Sequence, residues 1–294
     1  MTGSKMHADE LHTDAELVRR LLTDQFPQWA ELPIERVASS GTDNALYRVG
    51  PELVVRMPRI HWAIGSVHKD YEWLPKLAPH LPISIPEPLA KGDPGHGYPW
   101  TWGVYRWLPG ENPDAGPGAA PLARDVAQFV AALRRIDGSR GPGAYRGSGL
   151  TMQIDGARYG LTRLRGVIDT ETAALVWDRA LRAPAWSGPD TWLHGDLMPG
   201  NLLVQDGRLS AVIDWGSSGT GDPAADVMVA WTLFDREGRR IFREELGVED
   251  AEWDRGRGWA LSTGLNALPY YMETNPVLAE NARYRIEQLL AEVV

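Results

Sequence analysis

The chain has 294 residues, 39 acidic against 30 basic side chains, a net charge of −9 and no cysteine. The lack of thiols excludes a disulfide framework, thiol catalysis and a zinc-thiolate site, and the acidity argues against a nucleic-acid partner, which needs a basic footprint. Two separate cores are expected at this length, and with neither an apolar signal-peptide core nor a run near the roughly 18 apolar residues of a membrane span, the expected compartment is the cytoplasm with no membrane partner.

From the N-terminus, Leu17, Val18, Leu21 and Leu22 predict an amphipathic helix over 13–26, capped by Thr13 or Asp14. Residues 35–57 read as strands around two turns, 39–44 and 50–52, with 45–49 paired to 53–57. A helix over 68–77 places Asp70, Leu74 and Leu77 on one face. After an extended Pro-rich stretch at 82–88, residues 100–108 read as a strand ending in Pro109-Gly110, and 112–121 as a connecting loop. Helices are predicted over 121–136 and 171–181, with a glycine-rich link at 138–149. Asp222-Pro223 reads as an N-cap followed by proline at the first helical position, with Asp226 one turn further on.

The stretch 193–227, LHGDLMPGNLLVQDGRLSAVIDWGSSGTGDPAADV, is the most informative. Two apolar runs flank Asp206-Gly207, a strong hairpin signal. The entering loop carries His194, Asp196 and Asn201 and the exit carries Asp214, so the hairpin can bring the oxygens of Asp196, Asn201 and Asp214 together. Phosphoryl transfer needs an aligned hydroxyl and neutralised phosphates, and magnesium takes hard oxygen donors. In a kinase loop the first Asp of H-x-D-x-x-x-x-N receives the hydroxyl proton, while the Asn and a later Asp before Gly hold the metal. His194-Gly195-Asp196, Asn201 and Asp214-Trp215-Gly216 match residue by residue. The alternatives are a capped hairpin with solvated aspartates, or a metal-dependent hydrolase using His194 and the same carboxylates.

With HGDLxxxN, IDWG and GDPxxD in place, the chain resembles the aminoglycoside phosphotransferase family, small-molecule and antibiotic kinases with the protein-kinase fold. Gly195, where protein kinases carry arginine, favours the small-molecule branch. The resemblance implies an α+β, two-lobed protein-kinase-like fold: a nucleotide-binding lobe over 1–108 with an antiparallel sheet, and a mostly helical lobe over 109–294 that carries catalysis and the acceptor. It implies ATP, with GTP as the alternative nucleotide, and Mg2+ as cofactors. Asp196 becomes the base, with His194 shaping its loop through hydrogen bonds; Asn201 and Asp214 become metal ligands, and Asp222 and Asp226 support the loop. Asp226 could instead only favour a helix dipole.

The same resemblance assigns nucleotide contacts in the first lobe. Ser40, Gly41 and Thr42 occupy the turn that kinases lay over the phosphates, and Tyr105 and Trp107 lie in the adenine-binding hinge. The strand lysine that grips the phosphates is missing: the four lysines are Lys5, Lys69, Lys76 and Lys91. Arg56 stands in its place, with Arg59 as a competitor, and the acidic partner is Asp70 or Glu72.

Acids with aromatic surfaces suit an amino sugar, which makes Trp231, Asp235, Trp259, Asn266, Tyr270, Tyr271 and Glu273 acceptor candidates. Residues 1–109 carry 13 acidic against 11 basic side chains and the remainder 26 against 19, so the second lobe holds most of the negative charge. That field would attract a polycation, or is only an acidic surface. The expected acceptor is a hydroxylated, cationic small molecule of aminoglycoside type, with a macrolide, a choline-like alcohol or a metabolite sugar as alternatives. A nucleotide-binding regulatory pseudokinase is the alternative of another class.

Overall fold

The computed structural model describes residues 10–39, 41–116 and 120–292. They fall into two compact units. One contains the described part of Met1–Pro79 with Ser84–Pro109 and Ala211–Gly216; the other contains His80–Ile83, the described part of Gly110–Ser210, and the described part of Ser217–Val294.

In the first unit, α1 (Ala15–Gln25) begins at Asp14, whose carboxylate accepts from the Leu17 N–H at 2.7 Å. This satisfies a helix-end donor that has no partner within the helix. It is followed by β1 (Ile34–Arg36), β2 (Asn44–Val49), β3 (Leu53–Pro58), α2 (Ser66–Leu77), β4 (Pro88–Gly92) and β5 (Trp102–Arg106). The five strands form an antiparallel sheet in the order β1-β2-β3-β5-β4. The β2–β3 register pairs Ala45 with Met57 and Val49 with Leu53. Gly50 turns the chain there at φ 59°, a conformation glycine adopts without steric cost. The alternation of β2 sends Ala45, Tyr47 and Val49 to one face, where they meet Leu17, Leu21, Met57, Trp102 and Val104. Each such large apolar side chain contributes about 1.5–3 kcal/mol on burial.

The second unit is mainly helical: α3 (Ala120–Arg134), α4 (Ile154–Arg163), α5 (Thr170–Arg182), then β6 (Thr191–Leu193), β7 (Leu202–Gln205), β8 (Arg208–Val212) and β9 (Gly219–Gly221), then α6 (Ala224–Val227), α7 (Val229–Leu233), α8 (Arg236–Leu246), α9 (Asp250–Tyr271) and α10 (Pro276–Leu290). Helix α9 packs against α4, α5, α6 and α10, and its Trp259, Leu261, Leu265 and Leu268 are buried. The β6–β9 pair aligns Leu193 with Gly219. Asp206 (φ 51°) and Gly207 (φ 72°) close the β7–β8 hairpin with two left-handed residues, the geometry that matches strand twist.

The sequence-based helices over 13–26, 68–77, 121–136 and 171–181 appear as α1, α2, α3 and α5 within a few residues. The loop expected over 112–121 includes 117–119, outside the described residues. A division after residue 108 does not anticipate Ala211–Gly216, which β8 carries from the second unit into the first. Among the described residues no helix is long and apolar enough to cross a membrane.

Candidate active site

Strand β6 ends at Leu193 and hands the chain to His194-Gly195-Asp196. The carboxylate of Asp226, on α6, accepts from the His194 N–H at 2.8 Å and from the Gly195 N–H at 2.7 Å. Asp226 is buried, and burial pushes its pKa up while His194 and these two N–H groups pull it back down. It acts as a clasp on the loop backbone; favouring the dipole of the four-residue α6 does not account for these bonds. Gly195 has φ 77°, and a Cβ there would lie 2.8 Å from the Ser217 carbonyl oxygen. Any side chain, arginine included, would be strained in that position.

The loop places the Asp196 carboxylate among donors. Arg146 donates to Asp196 Oδ1 at 2.5 Å and to the Gly195 carbonyl at 2.6 Å. Asn201 Nδ2 donates to the Asp196 carbonyl at 2.8 Å and to Oδ2 at 3.1 Å. Burial pushes the Asp196 pKa up, but Arg146, His194 and Arg285 together outweigh it and the net shift is downward. The Asp196 N–H in turn donates to His194 Nδ1 at 3.2 Å. The far side of the loop is braced by Asn112, whose Nδ2 reaches the carbonyls of Pro199, Gly200 and Leu202, and by Thr232, which donates to the Leu197 carbonyl. Asp222 caps the Ala224 N–H and pairs with Arg255 at 2.7 and 3.1 Å.

The first unit assembles a second cluster. Arg56 on β3 donates to Asp70 Oδ2 on α2 at 2.6 Å and to Asp214 Oδ1 at 3.1 Å. The Tyr105 hydroxyl donates to the same Asp70 oxygen at 3.0 Å. Burial opposes the charge on both partners, but Asp70 and Asp214 strengthen the hold of Arg56 on its proton, while Arg56 pulls the Asp70 pKa back down. Asp214 has φ 58°, rare for a residue with a side chain and typical of strain held at functional positions. The turn is fixed by Trp215, fully buried with its indole N–H on the Val212 carbonyl, and by Lys69, which donates to the Gly216 carbonyl.

This geometry accompanies a sequence relationship. The sequence model of the phosphotransferase enzyme family matches residues 34–259. The chain belongs to the phosphotransferase enzyme family. The GDP and kanamycin complex of APH(2")-IIia superimposes with a TM-score of 0.72 at 17% identity, covering 94% of this chain and 99% of that one. A macrolide 2'-phosphotransferase type I gives 0.63 at 18% identity, covering 95% and 98%. The uncharacterized protein YcbJ of Bacillus subtilis (strain 168) is 27% identical over 191 residues, which span 62% of this chain and 58% of that relative. The fold is thus that of the kinase-like aminoglycoside phosphotransferases.

Within this family fold, Arg56 lies beside Asp70, whereas Arg59 pairs with Glu10 at 2.5 Å and Glu72 is exposed with Lys76 at 3.6 Å. Ser40 lies outside the described residues. The Gly41 N–H donates to Ser39 Oγ, and Thr42, nearly buried, donates to Asp43. In the expected hinge, Tyr105 is buried with its hydroxyl on Asp70, and the Trp107 backbone N–H donates to the Glu52 carbonyl with Arg48 over the ring.

The acceptor candidates divide in the same way. Trp231 and Trp259 are fully buried, so neither ring is exposed to an acceptor; the first packs against Trp253 with ring centroids 4.5 Å apart. Asp235 caps α8 through the Gly238 N–H at 2.8 Å. Tyr270 and Glu273 are exposed, Tyr271 is half-buried edge-on to Tyr270, and Asn266 lies against Gly156. Sequence reasoning missed Arg146, Arg285, Asn112 and Lys69. The first sits in a glycine-rich link beside a second arginine, Arg140, and the second on α10, and neither carries a spacing signal.

Proposed function

We propose that this chain transfers the γ-phosphoryl group of ATP to a hydroxyl of a small molecule. The observation that carries the reading is the Asp196 carboxylate, its pKa held low and its two oxygens fixed by Arg146 and Asn201. A base ionised throughout the neutral range can receive the acceptor's proton as the oxygen attacks phosphorus, and its fixed orientation selects the reacting hydroxyl. His194 shapes the loop, with Asp226 and Asp222 supporting it.

Arg56 is the proposed phosphate clamp, with Asp70 as its partner, and Tyr105 holds Asp70 in turn. Ser40, Gly41, Thr42 and the hinge around Trp107 complete the proposed nucleotide contacts, the hinge through its backbone. The donor chemistry fits magnesium. Asn201 commits its Nδ2 to Asp196, which leaves its amide oxygen as a hard donor, and the exposed Asp214 accepts from Arg56 through Oδ1. Bound magnesium would neutralise phosphate charge. GTP is the alternative donor, supported by a relative solved with GDP, and use of either nucleotide would place the protein in the cytoplasm.

An aminoglycoside-type antibiotic is the acceptor that the resemblance implies, in which case the protein is a resistance kinase; a relative's kanamycin complex supports this reading and the macrolide enzyme supports its nearest alternative. The test is release of ADP and formation of a phosphate ester by purified protein with magnesium and ATP across a panel of hydroxylated acceptors. Nucleotide binding with no transfer to any of them would assign a regulatory role instead, and no nucleotide binding would sink both readings.

A further inference from the structure

Accepting Asp196 as the group that meets the acceptor hydroxyl, the charges around it bear on what that acceptor is. Arg146 bonds this carboxylate directly, and the charge of Arg285 also acts on it. Arg146 uses a single nitrogen, NH1, for both Asp196 Oδ1 and the Gly195 carbonyl, so its Nε and NH2 meet no acceptor among the described residues, and 26% of its side chain is exposed. Arg285, on α10, is only 6% exposed, donates through NH1 to Thr263 Oγ1 at 2.5 Å, and has a buried Nε with no partner among the described residues. Burial pushes the Arg285 pKa down to about 10, with Asp196 pulling it up and Arg146 pressing it further down. The other acid at the loop, Asp226, is committed to two backbone N–H groups.

A buried cation with an unmet donor is costly unless an anion completes it. One carboxylate cannot complete two guanidinium groups, and the loop's own geometry accounts for only one of the three nitrogens of Arg146. We propose that the acceptor carries an oxyanion, a carboxylate or a phosphate, in place of the amino groups of an aminoglycoside, and that Arg146 engages it with the charge of Arg285 behind, while its hydroxyl meets Asp196. Guanidinium donors suit both anions through paired, charge-assisted hydrogen bonds. The net charge of −9 acts at long range and is screened within about 10 Å at ordinary ionic strength, so contact charge decides what is held. Ammonium groups at this position would meet two cations.

The experiment uses four sugars on one framework: glucose, glucuronate, glucose 6-phosphate and glucosamine. Transfer from ATP is measured for wild type, Arg285→Gln and Arg285→Lys, with melting temperature as the check on folding. Protection against thermal unfolding by inorganic phosphate and by acetate gives a readout that needs no turnover. We expect glucuronate or glucose 6-phosphate to exceed glucose in kcat/KM by about tenfold or more, the range for a hydrogen bond to a charged group, and to exceed glucosamine further; whichever of the two leads identifies the anion. Arg285→Gln should raise KM for that acceptor by a similar factor with a smaller change in KM for ATP, and Arg285→Lys should restore part of it. If neither arginine variant folds, the wild-type acceptor ranking and anion protection decide alone.

The idea is overturned if glucosamine or glucose is the better substrate, if a folded Arg285→Gln keeps the anion preference, or if no acceptor turns over and neither anion protects. Those results leave the kinase reading standing wherever ATP is bound or consumed; a protein that neither binds nor consumes nucleotide removes the kinase reading itself.

Discussion

Asp70 and Asp226 are both carboxylates with almost no exposure, 2% and 1%, yet the two units hold them by different means. In the first unit Asp70 meets side chains, Arg56 from a strand and Tyr105 from its neighbour in the sheet. In the second unit Asp226 meets backbone N–H groups of the loop it supports. A side-chain pair can be rebuilt with other residues of matching charge, because each partner is supplied by a separate rigid element. A backbone clasp cannot, because the geometry of the N–H groups belongs to the loop and only an acceptor of the right reach satisfies both. The first arrangement accommodates an arginine at position 56; the second demands glycine at 195 and a carboxylate at 226.

The largest expected effect falls on the proposed chemistry itself. Asp196→Asn keeps the shape and one acceptor oxygen for Arg146 but removes the base, so transfer should fall by about 10² to 10⁴ while nucleotide binding survives. Single-turnover kinetics on folded protein provide the check. Near-normal turnover would reduce Asp196 to a structural member of its loop, like Asp226.

How much of this was legible beforehand follows the same division. The loop in the second unit was readable because its members, His194, Asp196 and Asn201, sit within eight consecutive residues whose order is dictated by one turn. The hairpin was readable because Asp206-Gly207 favours one turn type. Arg56 and Asp70 were found as a pair with alternatives, since strand and helix periodicity each leave one face open to charge; only burial separates Asp70 from Glu72. Arg146 and Arg285 were illegible. Arg146 reaches Asp196 across 50 residues, and Arg285, whose charge acts on the same carboxylate, stands 89 residues from it, with no periodic pattern to aim either. Trp231 and Trp259 are buried, and tryptophan in an acidic region reads the same whether it lines a pocket or fills a core.

Arg56→Ala tests the side-chain pair. It strands the Asp70 carboxylate, and removing one partner of a buried ion pair typically costs about 3–5 kcal/mol. Replacing both, as Arg56→Met with Asp70→Leu, should cost less than the sum, since no buried charge is left behind, Asp214 being exposed. The single variant should also depend on pH. Burial already holds the Asp70 pKa above its ordinary value, and without Arg56 to pull it down it rises further, so the folded variant binds more protons and gains stability as pH falls. Urea melts at pH 5 and 7.5 measure this; equal cost at both would mean that Asp70 is solvated once Arg56 is gone. Arg56→Lys should fall short of wild type in KM for nucleotide and exceed alanine.

Asp226→Asn sharpens the contrast from the other unit. One oxygen becomes an NH2 that faces a backbone N–H, leaving that donor unmet at about 1–3 kcal/mol. No charge-conserving second substitution rescues it, because the partners are backbone. Thermal melts of this variant alone and combined with Arg134→Gln, whose guanidinium lies within electrostatic reach, would show additive losses. Recovery in the double variant would reclassify Asp226 as a side-chain partner like Asp70.

The smallest effect is the most diagnostic for Asp196, which combines both modes: a backbone-shaped loop and a side-chain cation. Burial pushes its pKa up, and Arg146 is the leading influence that brings it down. Arg146→Gln can keep a hydrogen bond to the loop while deleting the charge, so the Asp196 pKa should rise and the acid limb of the kcat/KM profile should move to higher pH. At pH 7.5, above that limb, only the lost contact with the acceptor should lower kcat/KM; at pH 5 the loss should be larger, because a growing share of the base is protonated. Arg146→Lys keeps a cation and should leave the limb near its wild-type position even where turnover drops from imperfect geometry. Profiles of the three proteins from pH 4.5 to 8.5, with nucleotide saturating, separate the two contributions: a limb that moves with charge assigns Arg146 an electrostatic role, and a uniform drop with no displacement assigns it the same geometric role that Asn201 performs from the other side of the carboxylate.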